Sequence, residues 1–190
     1  SRILVRTLEA VLGKRRLPVV LAEPAQNLSG GALSARGAGT LGVSLFGRSL
    51  QHLVDADGTW NITVLRDAAR ASRQGPVVVF GFTFMIWQLL EFLLASGERM
   101  DFGAQAVLLH TGGWKKLQAL AVDGADFRHR VADVLGIRQV HDFYGMAEQT
   151  GSVFLACSEG HLHCSAYNHV VIRDPQTWAT LPTGRLGIVQ

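Results

Sequence analysis

An α/β fold is predicted, with a mostly parallel sheet flanked by helices and a β-rich C-terminal extension. Three observations carry that reading. Strand and helix patterns alternate through the first two-thirds of the chain, as β–α–β units of a parallel sheet do. The last third is mostly strand pattern. Finally, the chain has 190 residues, 48% apolar and 17% charged, with a mean hydropathy of +0.20. That is enough to bury one sizeable core and too apolar for a disordered segment.

Ile3–Leu12 reads as a helix and Pro18–Ala22 as the strand after it. Gln26–Gly42 is rich in Gly, Ser and Ala and reads as a loop, with Val43–Phe46 as a short strand. Asn61–Ser72 is helical, its Ile62, Leu65 and Ala69 lying on one stripe. Val77–Phe80 is β-branched and aromatic, Gly81 punctuates it, and Phe84–Ala95 suits a helix. The strand Ala106–His110 then meets Thr111-Gly112-Gly113 and a helix from Trp114. Phe127–Leu135 is helical and closed by Gly136 at its C-cap. Ile137–Phe143 is the next strand, and Val153–Ala156, His169–Arg173 and Leu186–Gln190 complete the set.

Charge and cysteine content exclude several classes. Eighteen Lys and Arg stand against 15 Asp and Glu, a net charge of +3. The one basic run is Lys14-Arg15-Arg16, so the concentrated positive face of a nucleic-acid binder is missing and no nucleic-acid partner is expected. Cys157 and Cys164 are too few for a disulfide framework, which favours a reduced, cytoplasmic setting. Ser1–Ala22 mixes Arg and Lys among its apolar residues, unlike a signal peptide. The uncharged run Gln74–Leu90 splits chemically into a strand and a helix. It is short for a membrane span, and Gln88 and Glu91 would be costly at a bilayer centre. No membrane span is expected.

Four segments bear on chemistry. Gly37-Ala38-Gly39-Thr40-Leu41-Gly42 fits the dinucleotide spacing G-x-G-x-x-G. Its flanks lack the preceding strand and following helix that bring pyrophosphate to a helix N-terminus, so a flexible glycine loop is expected. At the end of Val107-Leu108-Leu109-His110, the pair Gly112-Gly113 lets backbone approach a ligand, and Lys115 or Lys116 can meet a phosphate. In open α/β sheets ligands sit at that carboxyl edge; a plain strand-to-helix turn is the alternative. After Gln139–Phe143 comes Tyr144-Gly145-Met146-Ala147-Glu148-Gln149, an aromatic face and a carboxylate at another strand's end. The ring can stack on a base and the carboxylate can hold Mg²⁺, or Tyr144 can be a core aromatic. Cys157, His161, His163 and Cys164 are four zinc-ligand types at irregular spacing. Strand alternation puts His163 and Cys164 on opposite faces, which favours structural or surface roles.

Taken together, the segments Phe80–Gln88, His110–Lys116, Asp142–Gly151, Ile172–Pro175 and Gly184–Gln190 resemble the LuxE-type acyl-protein synthetase family, a branch of the adenylate-forming ligases. The resemblance runs over essentially the whole chain. It implies the N-terminal core fold of those ligases and ATP-dependent activation of a fatty acid or other carboxylic acid as acyl-adenylate. The acyl group then passes to a protein cysteine and onward to a partner acyl reductase. ATP and Mg²⁺ are the implied cofactors.

By the same resemblance, Tyr144 lines the adenine and Glu148 holds the metal. His110, Thr111, Gly112, Gly113, Asp142, Gly145 and Met146 belong to the nucleotide side of the site. Glu148 and Lys115 are the implied catalytic residues, with Arg173 an alternative cation. Phe82, Phe84, Met85, Trp87 and Trp114 would line the acyl site, and core packing explains them equally well. Relatives often carry threonine where this chain has Ala147, so that phosphate contact falls to Gln149, Thr150 or Lys115. The superfamily's phosphate loop, hinge, C-terminal lid and acyl-accepting cysteine have no counterpart, so residues 1–190 are expected to be the middle of a longer adenylating enzyme. A phenylacetate-type acyl- or aryl-CoA ligase is the nearest alternative, and an inactive nucleotide-binding scaffold the next.

Overall fold

A computed structural model of the chain describes residues 2–25, 35–145 and 152–190. The element order is α1 (Arg2–Leu12), β1 (Leu17–Pro24), α2 (Ala35–Ser44), β2 (Gly47–Val54), α3 (Ile62–Ser72), β3 (Val78–Phe82), α4 (Thr83–Ala95) and β4 (Val107–Thr111). A 3₁₀ helix, Lys115–Leu120, leads on to α5 (Gly124–Leu135) and β5 (Gln139–Gly145). Four short strands end the chain: β6 (Val153–Ala156), β7 (Leu162–Cys164), β8 (Ile172–Arg173) and β9 (Ile188–Val189).

Seven strands form one sheet in the order β2-β1-β3-β4-β5-β6-β7, and β8 pairs with β9 apart from it. The first five are parallel, while β6 and β7 join antiparallel. This is the α/β class with a β-rich C-terminal part that the sequence predicts. The chain steps outward from β1 to β2 and returns past β1 to β3, so its direction of travel reverses there, as in doubly wound sheets.

Strands covered on both faces read as continuous apolar runs. Here Val19, Leu21, Val78, Phe80, Val107 and Leu109 pack with Leu8 of α1 and Val43 of α2. Val20, Val79 and Leu108 alternate to the other face and pack with Leu65 of α3, Leu90 of α4 and Val131 of α5. Gly81 is required where β3 crosses between β1 and α4, because a Cβ there would lie 2.9 Å from the Ala22 Cβ and 2.7 Å from Ile86. Helix ends follow the local chemistry. Asn61 accepts a hydrogen bond from the Val64 amide at 3.1 Å, Asp123 accepts one from the Asp126 amide at 2.9 Å, and Gly136 closes α5 at φ +68°.

The structure corrects three expectations. Gly37–Gly42 is not a loop, nor Val43–Phe46 a strand: Ala35–Ser44 is helical. Gly37, Thr40 and Val43 are buried, so small residues let α2 press closely on the sheet, outweighing the glycine cost of about 1 kcal/mol each in a helix. The adjoining strand is Gly47–Val54, whose exposed residues 48–51 form a sheet edge with little apolar pattern to read. The helix expected from Trp114 is a kinked 3₁₀ segment instead, and the last two strands shrink to two residues each. No helix among the described residues is long and apolar enough to cross a membrane. The run Gln74–Leu90 divides into β3 and the first part of α4.

Candidate functional site at the carboxyl edge of β4 and β5

β4 and β5 run side by side in register, Thr111 opposite Phe143. The Thr111 hydroxyl donates to the Phe143 carbonyl at 2.6 Å, tying the two strand ends together. Beyond Thr111 the chain turns through Gly112 at φ +75°, a left-handed conformation that favours glycine. A Cβ on Gly112 would also lie 3.1 Å from the Phe82 ring, whereas around Gly113 there is open space. The backbone at 112–113 is therefore accessible and conformationally fixed.

Thr83, the first residue of α4, holds this turn from below. Its hydroxyl lies 2.8 Å from the Gly112 carbonyl, 3.2 Å from that of Thr111 and 3.0 Å from His110 Nδ1. The hydroxyl has one hydrogen, which the carbonyls claim, so this network assigns the His110 proton to Nδ1, donating to Thr83. His110 is only 8% exposed, and its ring lies 4.4 Å from that of Phe127. Burial, then the charges of Arg128 and His141, push its pKa down to about 3. Asp142, opposite His110 in the register, is raised to about 6 by burial, against the lowering hydrogen bond from the Phe143 backbone. At 3.8 Å the two lie beyond hydrogen-bond range, and burial drives each toward its neutral form. With His110 neutral above about pH 3 they do not form an ion pair, and Asp142 is a carboxylate only above about pH 6. Beside them a cavity of about 270 Å³ opens between the N-terminus of α5, Arg128 and the Glu159–Gly160 turn.

The predicted site residues separate into three groups. Thr111, Gly112, Gly113, Asp142, Tyr144 and Gly145 come together at this edge. Tyr144 keeps 49% of its surface exposed, with the Phe154 ring 6.1 Å from its own, so an aromatic face is free for a ligand. Lys115 stands just beyond on an exposed turn, its own φ at +51°. Met146 and Glu148, with Ala147, Gln149 and Thr150, lie outside the described residues.

The second group is packed inside. Trp87 is buried against Trp114 at 5.0 Å and Phe127 at 6.2 Å, with the Arg130 guanidinium 5.1 Å from its ring. Phe82, half-buried, meets the Phe80 ring edge-on and the Phe84 ring at a tilt and faces both Gly39 and Gly112. His110 belongs here too. The Phe82 ring thus lies against Gly112, while Gly113 stays open.

The third group lies elsewhere. Arg173 is tied into the small β8–β9 sheet, bonding Gln190 at 2.7 Å and Thr180 at 3.0 Å. On the β6–β7 hairpin, His163 and then the His161 backbone hydrogen-bond Cys157 and lower its thiol pKa. Among the described residues no group of three or more His, Cys, Asp and Glu is placed to hold a metal ion.

Sequence reasoning passed over Thr83, Phe127 and Arg128. Thr83 had one signal, a hydroxyl alone within the apolar run Val77–Ile86. Phe127 begins the buried stripe that continues with Val131, Val134 and Leu135. Arg128 meets the site only through the packing of α5.

No curated protein matches this chain in sequence. Among solved structures, an open form of 2-hydroxyisobutyryl-CoA ligase in complex with 2-HIB-AMP and CoA aligns at a TM-score of 0.60 and 16% identity, over 99% of this chain and 42% of the ligase. The same ligase in its postadenylation state with 2-HIB-AMP aligns at 0.64 and 15%, over 99% and 38%. The chain therefore spans about two-fifths of these neighbours, and the likeness is one of fold. At the level of sequence, residues 1–190 match throughout the family described as acyl-protein synthetase, LuxE, and the chain belongs to that family.

Proposed function

We propose that this chain is the acid-activating core of an ATP-dependent acyl-protein synthetase, which adenylates a fatty acid and passes the acyl group to a protein cysteine. The observation that supports the reading is that the Gly112–Gly113 backbone and the exposed Tyr144 ring lie at the ends of two neighbouring strands, with Lys115 two residues further along the chain, in a chain of this family. Two features of the described edge support a nucleotide there. Tyr144 offers a face for the base, and the open space around Gly113 lets phosphate or carboxylate lie against backbone.

Adenylation joins two anions, so the site has to neutralise charge and align an in-line attack. One carboxylate oxygen of the acid attacks the α-phosphorus of ATP, the bond to the bridging oxygen breaks, and pyrophosphate leaves. Lys115 supplies a point charge beside the phosphates. Thr83 and Thr111 keep the glycine turn and the end of β5 in register while the ligand changes shape. Glu148 would hold Mg²⁺, which would supply charge neutralisation at the phosphate oxygens. A cysteine thiolate then attacks the acyl carbon and AMP departs with the electron pair. A reductase is the onward acceptor in this reading, and the two free thiols Cys157 and Cys164 accord with a cytoplasmic setting.

The test uses the complete enzyme. Glu148→Gln is expected to abolish acid-dependent exchange of pyrophosphate into ATP, and unchanged exchange would overturn the assignment. Mass spectrometry after incubation with ATP and a panel of fatty acids reads the product. A covalent acyl-protein supports the synthetase. Acyl-CoA would favour the second reading, an acyl-CoA ligase, which the CoA-bound neighbour motivates.

A further inference from the structure

The amino edge of the sheet, opposite the candidate site, gathers positive charge that the proposed chemistry does not use. Three neighbouring strands begin there, with Leu17 of β1 opposite Gly47 of β2 and Val19 opposite Val78 of β3. Arg15 and Arg16 precede β1, Arg48 opens β2, and Gln74–Pro76 leads into β3; together they line a cavity of about 370 Å³. The three arginines are its charged residues, and it has no carboxylate in its lining. All three are exposed.

Four arginines elsewhere in the chain behave differently. Arg66 meets Glu98 at 2.8 Å, Arg70 meets Asp67 at 3.2 Å, Arg99 meets Asp133 at 3.2 Å and Arg130 meets Glu91 at 2.9 Å. Among the described residues no carboxylate pairs with Arg15, Arg16 or Arg48. Lys14 follows the end of α1 and Arg73 caps α3, where cations complement the helix dipole. That effect does not account for Arg48, which sits on a strand, or for the hollow shape.

We propose that this amino-edge cavity binds a small, multiply charged phosphate anion of the di- or triphosphate class, held by Arg15, Arg16 and Arg48. Guanidinium forks match phosphate oxygens two at a time, and three forks around one hollow suit an anion with several such oxygens. The volume falls in the small-molecule range, whereas a flat acidic protein surface would leave the hollow unfilled. The ligand is distinct from substrate ATP. β1 has eight residues, so the two edges stand roughly 25 Å apart at ~3.3 Å per residue.

Inorganic tripolyphosphate is the probe, with calorimetry for affinity and amide NMR shifts for location, on the 190-residue chain. Arg48→Gln is expected to weaken binding about tenfold, the worth of one charge-assisted hydrogen bond. R15Q/R16Q should weaken it further, and Arg48→Lys should fall between Arg48→Gln and wild type. A control, R66Q/R99Q, removes two paired charges and should stay within about twofold, since exposed ion pairs hold little free energy. Shifts should map to the starts of β1, β2 and β3, and binding should weaken with salt. Equal loss in the control, or shifts confined to residues 110–145, would overturn the proposal. So would binding of an acidic peptide where tripolyphosphate fails, which would assign the patch to a protein partner.

Discussion

Along β1, β3 and β4, side chains alternate between two apolar clusters, each covered by helices. Residues 172–190 are built the other way. Leu186 is 99% exposed and Trp178 59%, and β8 and β9 hold two residues apiece. Their shape comes from polar bonds. Val171 and Gln190 exchange both backbone hydrogen bonds at 2.9 Å, Arg173 reaches Gln190 and Thr180, and the Asp174 carboxylate accepts from the Gln176 and Thr177 amides. The lesson is one of vulnerability. The parallel half tolerates the loss of a hydrogen bond better than the loss of a methyl group, and the C-terminal piece is the reverse.

The strongest way to break that contrast is Leu108→Ala, at the centre of the sheet. A cost of about 2–5 kcal/mol is expected from urea unfolding, as for other buried leucines; a loss under about 1 kcal/mol would mean that the parallel half has no tightly packed core. Acid comes next. His110 titrates near 3 when folded and 6.5 in its ordinary state. The contribution it makes is therefore complete above pH 6.5 and is lost as the pH falls toward 3, because the unfolded ring takes up a proton that the buried ring refuses. His110→Gln should flatten that limb of a stability–pH curve.

Asp142 works in the opposite sense. Its carboxyl is raised from 3.8 to about 6, so folding is penalised as the pH rises through that interval. Asp142→Asn should gain roughly 1 kcal/mol above it, after allowance for screening of a half-exposed side chain. The smallest global effect belongs to Arg173→Ala. The melting temperature should move by less than about 2 °C, while hydrogen exchange at Val171, Ile172 and Gln190 accelerates. A large global loss there would tie the C-terminal piece to the main core.

This division also explains what could be read in advance. β3 and β4 were legible as apolar runs punctuated by glycine, and β5 by its Phe143-Tyr144-Gly145 end. Their carboxyl ends therefore pointed to Gly112 and Tyr144 without any knowledge of the packing. β2 was not, because an exposed edge strand such as Arg48-Ser49-Leu50-Gln51 carries no alternation. Nor was α2, where glycine propensity points to loop while close packing on Phe82 and the sheet decides for helix. At the site, Thr83 and Phe127 act through residues 27 and 17 positions away from them, at His110. Contacts of that kind arise only when β3, β4 and α5 are assembled, so no local pattern announces them.

The order of elements after β4 and β5 has an electrostatic consequence. Many nucleotide folds follow such a strand directly with an α-helix, whose free amides act as a diffuse, permanent positive pole. Here β4 runs into a 3₁₀ segment, Asp123 engages the Asp126 and Phe127 amides of α5, and among the described residues the next element after β5 is the antiparallel strand β6. Among the described residues, charge at this edge falls to the short Gly112–Gly113 backbone and to discrete ions on side chains more than to a helix pole directly behind either strand. Such a site is tuned residue by residue, and its affinity for anions should depend on ionic strength and on the protonation of those few groups more steeply than a helix-capped one.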